Sequence, residues 1–286
     1  MLGLKEIKQR IKGVTNIKQI TKAMEMVAIN RVRKTEQRML SSRPYAENIS
    51  KLLKRLSLAV EDNSRFFKSK DSVKKVKIVL ITGDKGLCGA YNSNAIQTAI
   101  KFIKNESGKD CSLYLIGKKG IIFFKNKHYT VDEFCPIPVE KISSKDISNL
   151  SEKFITEFEE EKFDELYIIY TKFVTLSKNF ASTIKLLPIE KAESTGDDKS
   201  VDYIFEPSSE DLLNRLIPKY VLSQILSTIL ESLTSESGAR MVAMKAASEN
   251  AEEIIGDLKK SYNRARQDAI TTELLEIISG AEALRQ

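Results

Sequence analysis

The sequence predicts an α/β layer with a mostly parallel sheet, flanked by two long helices that pair antiparallel as a coiled coil. Three observations lead there. Apolar residues at both ends of the chain recur at helical three-and-four spacing. The middle alternates short β-branched runs with helical stretches. After Pro218 there is no further proline, so the last 68 residues can form one helix, on the order of 100 Å long.

The first element is a helical arm over residues 1–60. Leu4, Ile7, Ile11 and Val14 mark its apolar stripe. A slip by three, a stammer that overwinds a supercoil, passes the stripe to Ile17, Ile20, Met24 and Val27. Pro44 in "SSRPYAEN" interrupts the pattern and is read as a kink, because proline lacks a donor and clashes with the preceding turn. Ile49, Leu52, Leu53 and Leu56 resume it. Residues 61–75, "EDNSRFFKSKDSVKK", have no periodicity and are read as a linker.

The α/β domain occupies residues 76–189. Its strands are expected at Val76–Thr82, Cys111–Gly117, Glu165–Thr171 and Ser182–Pro188. The stretches "NAIQTAIKFIKN" and "ISNLSEKFITEFEEEKF" between them are expected helices. Residues 190–207 form a second, polar linker, and a C-terminal helix follows over 208–286, capped at Ser208 or Ser209 and kinked at Pro218. Ala251, Ile255, Leu258, Tyr262, Ala265, Ala269 and Thr272 keep a regular four-three spacing, a seam whose alanines permit close approach.

Neither terminal seam can be buried alone, and the intervening domain lets the two ends return past each other. The C-terminal helix exceeds its partner by about 10 to 20 residues. Its tip must then project, with Ile270, Leu274, Leu275, Ile277, Ile278, Ala281 and Leu284 uncovered. An apolar helix end without an internal partner calls for an external apolar sleeve.

Composition narrows the chemistry. The chain has one histidine, His128, and three scattered cysteines, Cys88, Cys111 and Cys135, without CxxC spacing. That pattern argues against a disulfide framework, a His/Cys zinc site or a histidine-dependent triad. No apolar run reaches the ~20 residues that span a bilayer, and the N-terminus lacks the apolar block of a secretory signal, so a cytoplasmic location is expected. Charge is unevenly placed: residues 1–58 hold 14 Lys/Arg against 4 Asp/Glu, net +10. Such an arm suits an acidic partner, whether nucleic acid, anionic lipid or an acidic protein surface.

The stretch "ITGDKGLCGAYN", Ile81–Asn92, poses the sharpest chemical question, because glycine turns between strand and helix often cradle phosphates. A phosphate loop of the Walker type needs Lys and Ser/Thr after its last glycine, whereas Gly86 is followed by Leu87 and Cys88. The spacing of Gly83, Gly86 and Gly89 also misses the dinucleotide fingerprint, and Asp84 would repel an anion there. The turn is therefore read as structural, with no cofactor, and Lys85 as a contact or solvated residue. Glu273 and Glu276, three residues apart on the last helix, are read as a polar face and not as metal ligands, since no third ligand is in view.

Four blocks together resemble the gamma subunit family of F-type ATP synthases. They are "QITKAMEMVA" (Gln19–Ala28), "DKGLCGAYN" (Asp84–Asn92), "SGARMVAMKAASENA" (Ser237–Ala251) and "YNRARQDAITTELLEIISGA" (Tyr262–Ala281). The last matches the family's I-T-x-E-x-x-E-x-x-x-G-A at Ile270, Thr271, Glu273, Glu276, Gly280 and Ala281. The resemblance implies a non-catalytic rotor shaft of bacterial type with a Rossmann-like domain at its foot. It implies alpha and beta subunits as a three-fold collar that holds the nucleotide sites. The epsilon subunit and a membrane ring of c subunits would be the other partners, which puts the chain peripherally on the cytoplasmic face of a bacterial membrane. Met24, Arg240, Gln267 and Thr271 are the positions it implies as beta-subunit contacts. Lys85 departs from the arginine common in the family, which puts a two-pronged contact at that turn in doubt. The rival reading is a nucleic-acid-binding protein with a basic coiled-coil arm. Against it, Tyr45 is the only aromatic residue before Phe66, so base stacking is poorly supplied.

Overall fold

The fold was analysed in a computed structural model that describes residues 3–59, 65–67, 72–125, 127–176, 178–190 and 209–283. The elements in chain order are α1 (Leu4–Ala59), β1 (Lys75–Ile81), α2 (Tyr91–Asn105), β2 (Asp110–Ile116), α3 (Lys118–Phe124) and β3 (Thr130–Phe134). A 3-10 turn (Val139–Lys141), α4 (Ser144–Glu159), β4 (Glu165–Phe173), β5 (Asn179–Leu187) and α5 (Ser209–Ala283) complete them. The chain divides into two compact units. One comprises the two chain ends, up to Ala28 and from Met241; the other is Ile29–Arg240.

The Ile29–Arg240 unit is built on a five-stranded sheet in the order β3-β2-β1-β4-β5. β1 to β4 run parallel, and β5 pairs antiparallel with β4. The pleat sorts the side chains. Ile78 and Leu80 of β1 join Leu113 and Leu115 against Ala95, Ile96 and Ala99 of α2 and Phe124 of α3. Val79, Ile81 and Ile116 face the other way, towards Ile147, Phe154 and Phe158 of α4. Leu53 and Leu56 of α1 close the same core, with Leu213, Ile217, Val221, Ile225, Ile229 and Leu233 of α5. Steps of four put those α5 residues on one helical stripe.

Four strands lie where the residues predict them, within a few residues. The fifth, β3, was not foreseen. Its sequence, TVDEF, sits at the sheet edge with mostly exposed side chains, so no apolar alternation marks it. It supplies Asp132 to the buried Lys77 of β1 at 2.7 Å, matched by Glu157 of α4 at 2.7 Å. The segment read as a linker contains an anchor. Phe67 is buried, Phe66 packs on Phe158 at 5.6 Å, and Ile189 N–H donates to the Phe66 carbonyl at 2.6 Å. Of the second linker only Glu190 is described; residues 191–208, and with them the expected cap at Ser208, lie outside the described residues. Pro44 and Pro218 sit inside unbroken helices. Buried neighbours on both sides, Met39 and Ala46 in α1 and Ile217 and Val221 in α5, hold the helix through the lost donor.

In the chain-end unit α1 and α5 lie side by side, with Lys18 Nζ 2.9 Å from Glu252. In the sheet unit Arg43 of α1 lies close enough to Glu231 of α5 to favour its charged form. Within that unit Leu53 and Leu56, further along α1, share a core with Leu213 and Ile217, earlier in α5, so the two helices run antiparallel. Leu4 lies fourteen residues before Lys18 and so falls level with about residue 266 of α5. Ala251 is buried and Ile255, Leu258, Tyr262 and Ala265 are half-covered, but every side chain from Arg266 to Ala281 is exposed. The outer seam positions Ala269 and Thr272 are therefore uncovered.

The stripe of α1 corrects the sequence reading. No slip follows Val14. The covered positions continue as Lys18, Thr21, Glu25 and Ala28, then Val32, Thr35, Met39, Ser42, Ala46, Ile49, Leu53 and Leu56. Ile17, Ile20 and Val27 point outward, with Ile20 59 % exposed. Polar residues can hold the seam because each is satisfied locally. Thr21 donates its hydroxyl to the Ile17 and Lys18 carbonyls, both at 3.0 Å. Lys18 lays its stem in the seam and its charge on Glu252. Glu25, 6 % exposed, pairs with Lys22 at 3.0 Å.

Candidate functional site: a crevice closed by its own chain

In an open α/β sheet, ligands bind beyond the carboxyl ends of the strands, where successive connections leave to opposite sides. Here that point lies between β1 and β4. β1 ends at Ile81 and runs into Thr82 and the glycine turn, and the turn enters α2 at Tyr91. The turn is held on every side. Gly83 N–H donates to Asn92 Oδ1 at 2.8 Å, and Asn92 Nδ2 donates to the Lys85 carbonyl at 3.4 Å. Asp84 accepts from Lys118 N–H at 3.1 Å and Val139 N–H at 2.8 Å. The carboxylate that would repel an anion is thus engaged elsewhere, tying the start of α3 and the 3-10 turn to the end of β1.

α5 fills the crevice. Ser232 Oγ accepts from Thr171 N–H at 3.3 Å, and Ser235 Oγ donates to the Thr171 carbonyl at 3.2 Å, which fixes α5 to β4. One residue further, Glu236 lies against Gly83: a Cβ built on that glycine would sit 2.7 Å from the Glu236 carboxyl carbon. Arg240, one helical turn on, pairs with Glu236 and also donates Nε and Nη2 to the Gly86 carbonyl, both at 3.3 Å. Glu236 and Arg240 are 5 % and 6 % exposed. The chain's own carboxylate and guanidinium occupy the place where other α/β folds hold a phosphate.

The electrostatics follow from burial. Desolvation pushes the Glu236 carboxyl up and the Arg240 hydrogen bond and charge pull it back, while Glu140 and Asp84 nearby push it up again. Burial raises the Cys88 thiol, and the Glu236 charge adds to it. Tyr91, fully buried at the start of α2, is raised well above its ordinary value by burial and by Glu236. All three groups are buried away from solvent.

The predicted contact residues fall on both units. Met24 is half-buried on α1. Gln267 and Thr271 are exposed and are joined by the Thr271 hydroxyl, which donates to the Gln267 carbonyl at 2.9 Å. Ile270, Leu274, Leu275, Ile277 and Ile278 are 49–63 % exposed, Ala281 is exposed, and Leu284 lies outside the described residues. Arg240 is not the solvated charge that a lone arginine on a helix suggests; it is buried and paired. Sequence reasoning does not find its partner Glu236 or the seam residue Glu25. Only the four-residue spacing of Glu236 and Arg240 hints at the first, and nothing in the local pattern hints at the second.

The ATP synthase family model matches residues 3–284. The ATP synthase gamma chain of Geotalea daltonii is 40 % identical over 287 residues, covering all of both chains. That of Desulfitobacterium hafniense is 40 % identical over 285 residues, 99 % of this chain and 100 % of its own. The chain belongs to the ATP synthase gamma chain family. A gamma chain is a non-catalytic subunit of the central stalk, where it serves as the rotor, and the nucleic-acid alternative has no support in that family. Solved structures share the fold. A chain from the Euglena gracilis mitochondrial ATP synthase, in a structure of OSCP, F1 and c-ring, aligns with a TM-score of 0.66 and 19 % identity over 98 % of this chain and 94 % of its own. One from the Tetrahymena thermophila central stalk and c-ring aligns at 0.60 and 24 %, over 80 % and 99 %. For a gamma-family chain, a crevice plugged by Glu236 and Arg240 is what a scaffold would have.

Proposed function

We propose that this chain is the rotor shaft that couples ion flow through a membrane ring to ATP synthesis and hydrolysis in an alpha–beta collar. The observation that carries the reading is the bare end of α5. Ile270, Leu274, Leu275, Ile277 and Ile278 stand exposed on a helix whose partner has ended, and such a surface is stable only inside an apolar sleeve. Apolar packing has no fixed hydrogen-bond register, so it lets a tip turn against its bearing. Polar contacts supply grip: Gln267 and Thr271 directly, the charges from Lys22 to Arg38 along α1, and Arg240 through the turn it holds; Met24 is the apolar member of the beta-subunit contacts. The outward Ile17, Ile20 and Val27, on an arm with net charge +10 over residues 1–58, suit an acidic collar surface with apolar gaps.

A single asymmetric shaft in a three-fold collar touches each beta subunit differently. Contact energies that differ by ~5.5 kcal/mol between two states move a site from 1:99 to 99:1. Rotation passes those contacts around the ring, so turning the shaft drives release of ATP and hydrolysis drives it back. The epsilon subunit and the c-ring complete the partners at the foot. Among the described residues no helix is long and apolar enough to cross a membrane, so the chain would reach the cytoplasmic face of a bacterial membrane only through the ring.

The test is reconstitution. Purified alpha and beta subunits mixed with this chain should give a large complex whose ATP hydrolysis depends on it. Salt-sensitive DNA or RNA binding with no such complex would overturn the proposal.

A further inference from the structure

The Glu236–Arg240 pair holds more than a helix in place. Arg240 reaches across to a main-chain carbonyl with two donors, and that carbonyl, Gly86, sits one residue before the exposed Leu87. Leu87 has φ 59, the left-handed region that a leucine occupies only when its surroundings force it. The turn therefore carries strain, and the strained residue, 61 % exposed, has little packing to compensate. What opposes relaxation is the hold at Gly86, the Asn92 amide, and Asp84 on the amides of Lys118 and Val139.

Two cations stand at Gly86: Arg240, which bonds its carbonyl, and Lys119 of α3, whose Nζ lies 4.0 Å from where a Cβ on Gly86 would sit. Arg240 pairs with Glu236 on α5, and two further carboxylates, Glu140 on the 3-10 turn and Asp84 in the glycine turn, bear on Glu236. Glu140 has Arg31 of α1 as its own partner. Cys88 in the turn and Tyr91 at the start of α2 face Glu236 from the remaining side. Glu236 thus aligns Arg240, and Arg240 alone spans from α5 to the Gly86 carbonyl.

We propose that Glu236 and Arg240 are a clasp, which keeps the strained Gly83–Asn92 turn shut against α5 and opens as a local unit when the carboxylate–guanidinium contact is lost. Shut, the clasp fixes the exposed pair Lys85 and Leu87 in one orientation relative to α5. Open, it frees them and uncovers Cys88.

The three natural cysteines report this without added labels. Cys88 is buried beneath the turn, while Cys111 and Cys135 are half-exposed elsewhere on the sheet unit. In the full chain, maleimide labelling followed site by site with mass spectrometry should be slowest at Cys88. Arg240→Met should speed Cys88 about tenfold or more while Cys111 and Cys135 stay within about twofold, as a local opening requires. The direction is diagnostic. Losing a nearby cation makes a thiol harder to ionise and alone would slow labelling, so acceleration means opening. Slower or unchanged labelling at Cys88, or an equal rise at all three thiols, overturns the clasp. Should Arg240→Met fail to fold, hydrogen exchange on the wild-type chain decides. Amides of Gly83–Asn92 should exchange by a route insensitive to low urea while those of β1 do not; exchange of both only with global unfolding overturns it.

Discussion

Gly83 and Gly117 both admit no side chain, for different reasons, and the difference is measurable. At Gly117 φ is 97, and a Cβ would sit 2.0 Å from the Thr82 carbonyl oxygen, a backbone atom that cannot swing aside. At Gly83 the obstacle is the end of the Glu236 side chain, which can move if it gives up Arg240. Gly117→Ala should therefore cost more, about 2–4 kcal/mol, against about 1–2 kcal/mol for Gly83→Ala, in urea unfolding of the full chain. The reverse order would mean that the crevice is tighter than the strand crossing. Glu236 also gives a pH signature. Its carboxyl is raised in the folded chain, so the folded state keeps this proton to higher pH than the unfolded state does. Its contribution to stability is then greatest below the ordinary value of 4.5 and declines as pH rises through the raised value. Glu236→Gln should remove that decline from the pH profile of the unfolding midpoint; an unaltered profile would show that Glu236 does not titrate apart from its neighbours. The glycines of this turn were legible in the sequence as a structural device. What the turn closes against was not, because Glu236 and Arg240 lie about 150 residues away and no local pattern joins them to it.

At the scale of elements, the sheet was largely legible and the register of α1 was not. Strands buried on both faces spell themselves out in β-branched runs, and β3 escaped because it is an edge. In α1 apolarity misleads: Ile17 and Ile20 are more apolar than Lys18 and Thr21, yet the latter face the seam. A seam position is defined by what its partner helix can accept, which one strand of sequence does not state. Leu52 and Leu53 give the cleanest test, being adjacent and chemically identical, with exposures of 49 % and 1 %. Leu53→Ala should cost about 2–5 kcal/mol and Leu52→Ala under about 1 kcal/mol. Ile20→Ala should leave the isolated chain's unfolding midpoint nearly unchanged, by less than about 0.5 kcal/mol. A loss of several kcal/mol at Ile20 would restore the slipped register. α4 is started by a local motif that the expected helix, beginning at Ile147, leaves out. Ser143 caps the Asp146 amide, and the Asp146 carboxylate accepts from Ser143 N–H at 2.9 Å. Ser143→Ala should cost about 1 kcal/mol. The Asp146 carboxyl is held below its usual range by the Ser143 hydroxyl and amide, so its help is present above 3.8 and fades as pH falls through the lowered value.

At the scale of the whole molecule, the family was legible because four separated blocks keep their order. The compact unit of the sheet takes in α1 from Ile29 and α5 to Arg240; Leu53 and Leu56 of α1 and the α5 stripe from Leu213 to Leu233 join the sheet core. No composition shift marks either point, because each falls inside a helix. The remaining question for a shaft is whether its two helices act as one body while it turns. They meet in the chain-end unit at Lys18 and Glu252, an ion pair exposed to solvent and therefore screened, over a seam that includes small and polar side chains such as Thr21, Ala28, Ser248 and Ala251. Small side chains in a seam leave few interlocking knobs against sliding. The proposed function requires the opposite: torque passes from foot to tip only if neither helix moves along the other. Cysteines placed by Lys18→Cys and Glu252→Cys and joined by a short bismaleimide should therefore leave ATP hydrolysis by the reconstituted complex within about twofold of the unlinked double variant. Loss of hydrolysis on linking, with the complex still assembled and restored activity when a cleavable linker is cut, would show that sliding between the helices is part of the cycle and that the shaft is not a single rigid body.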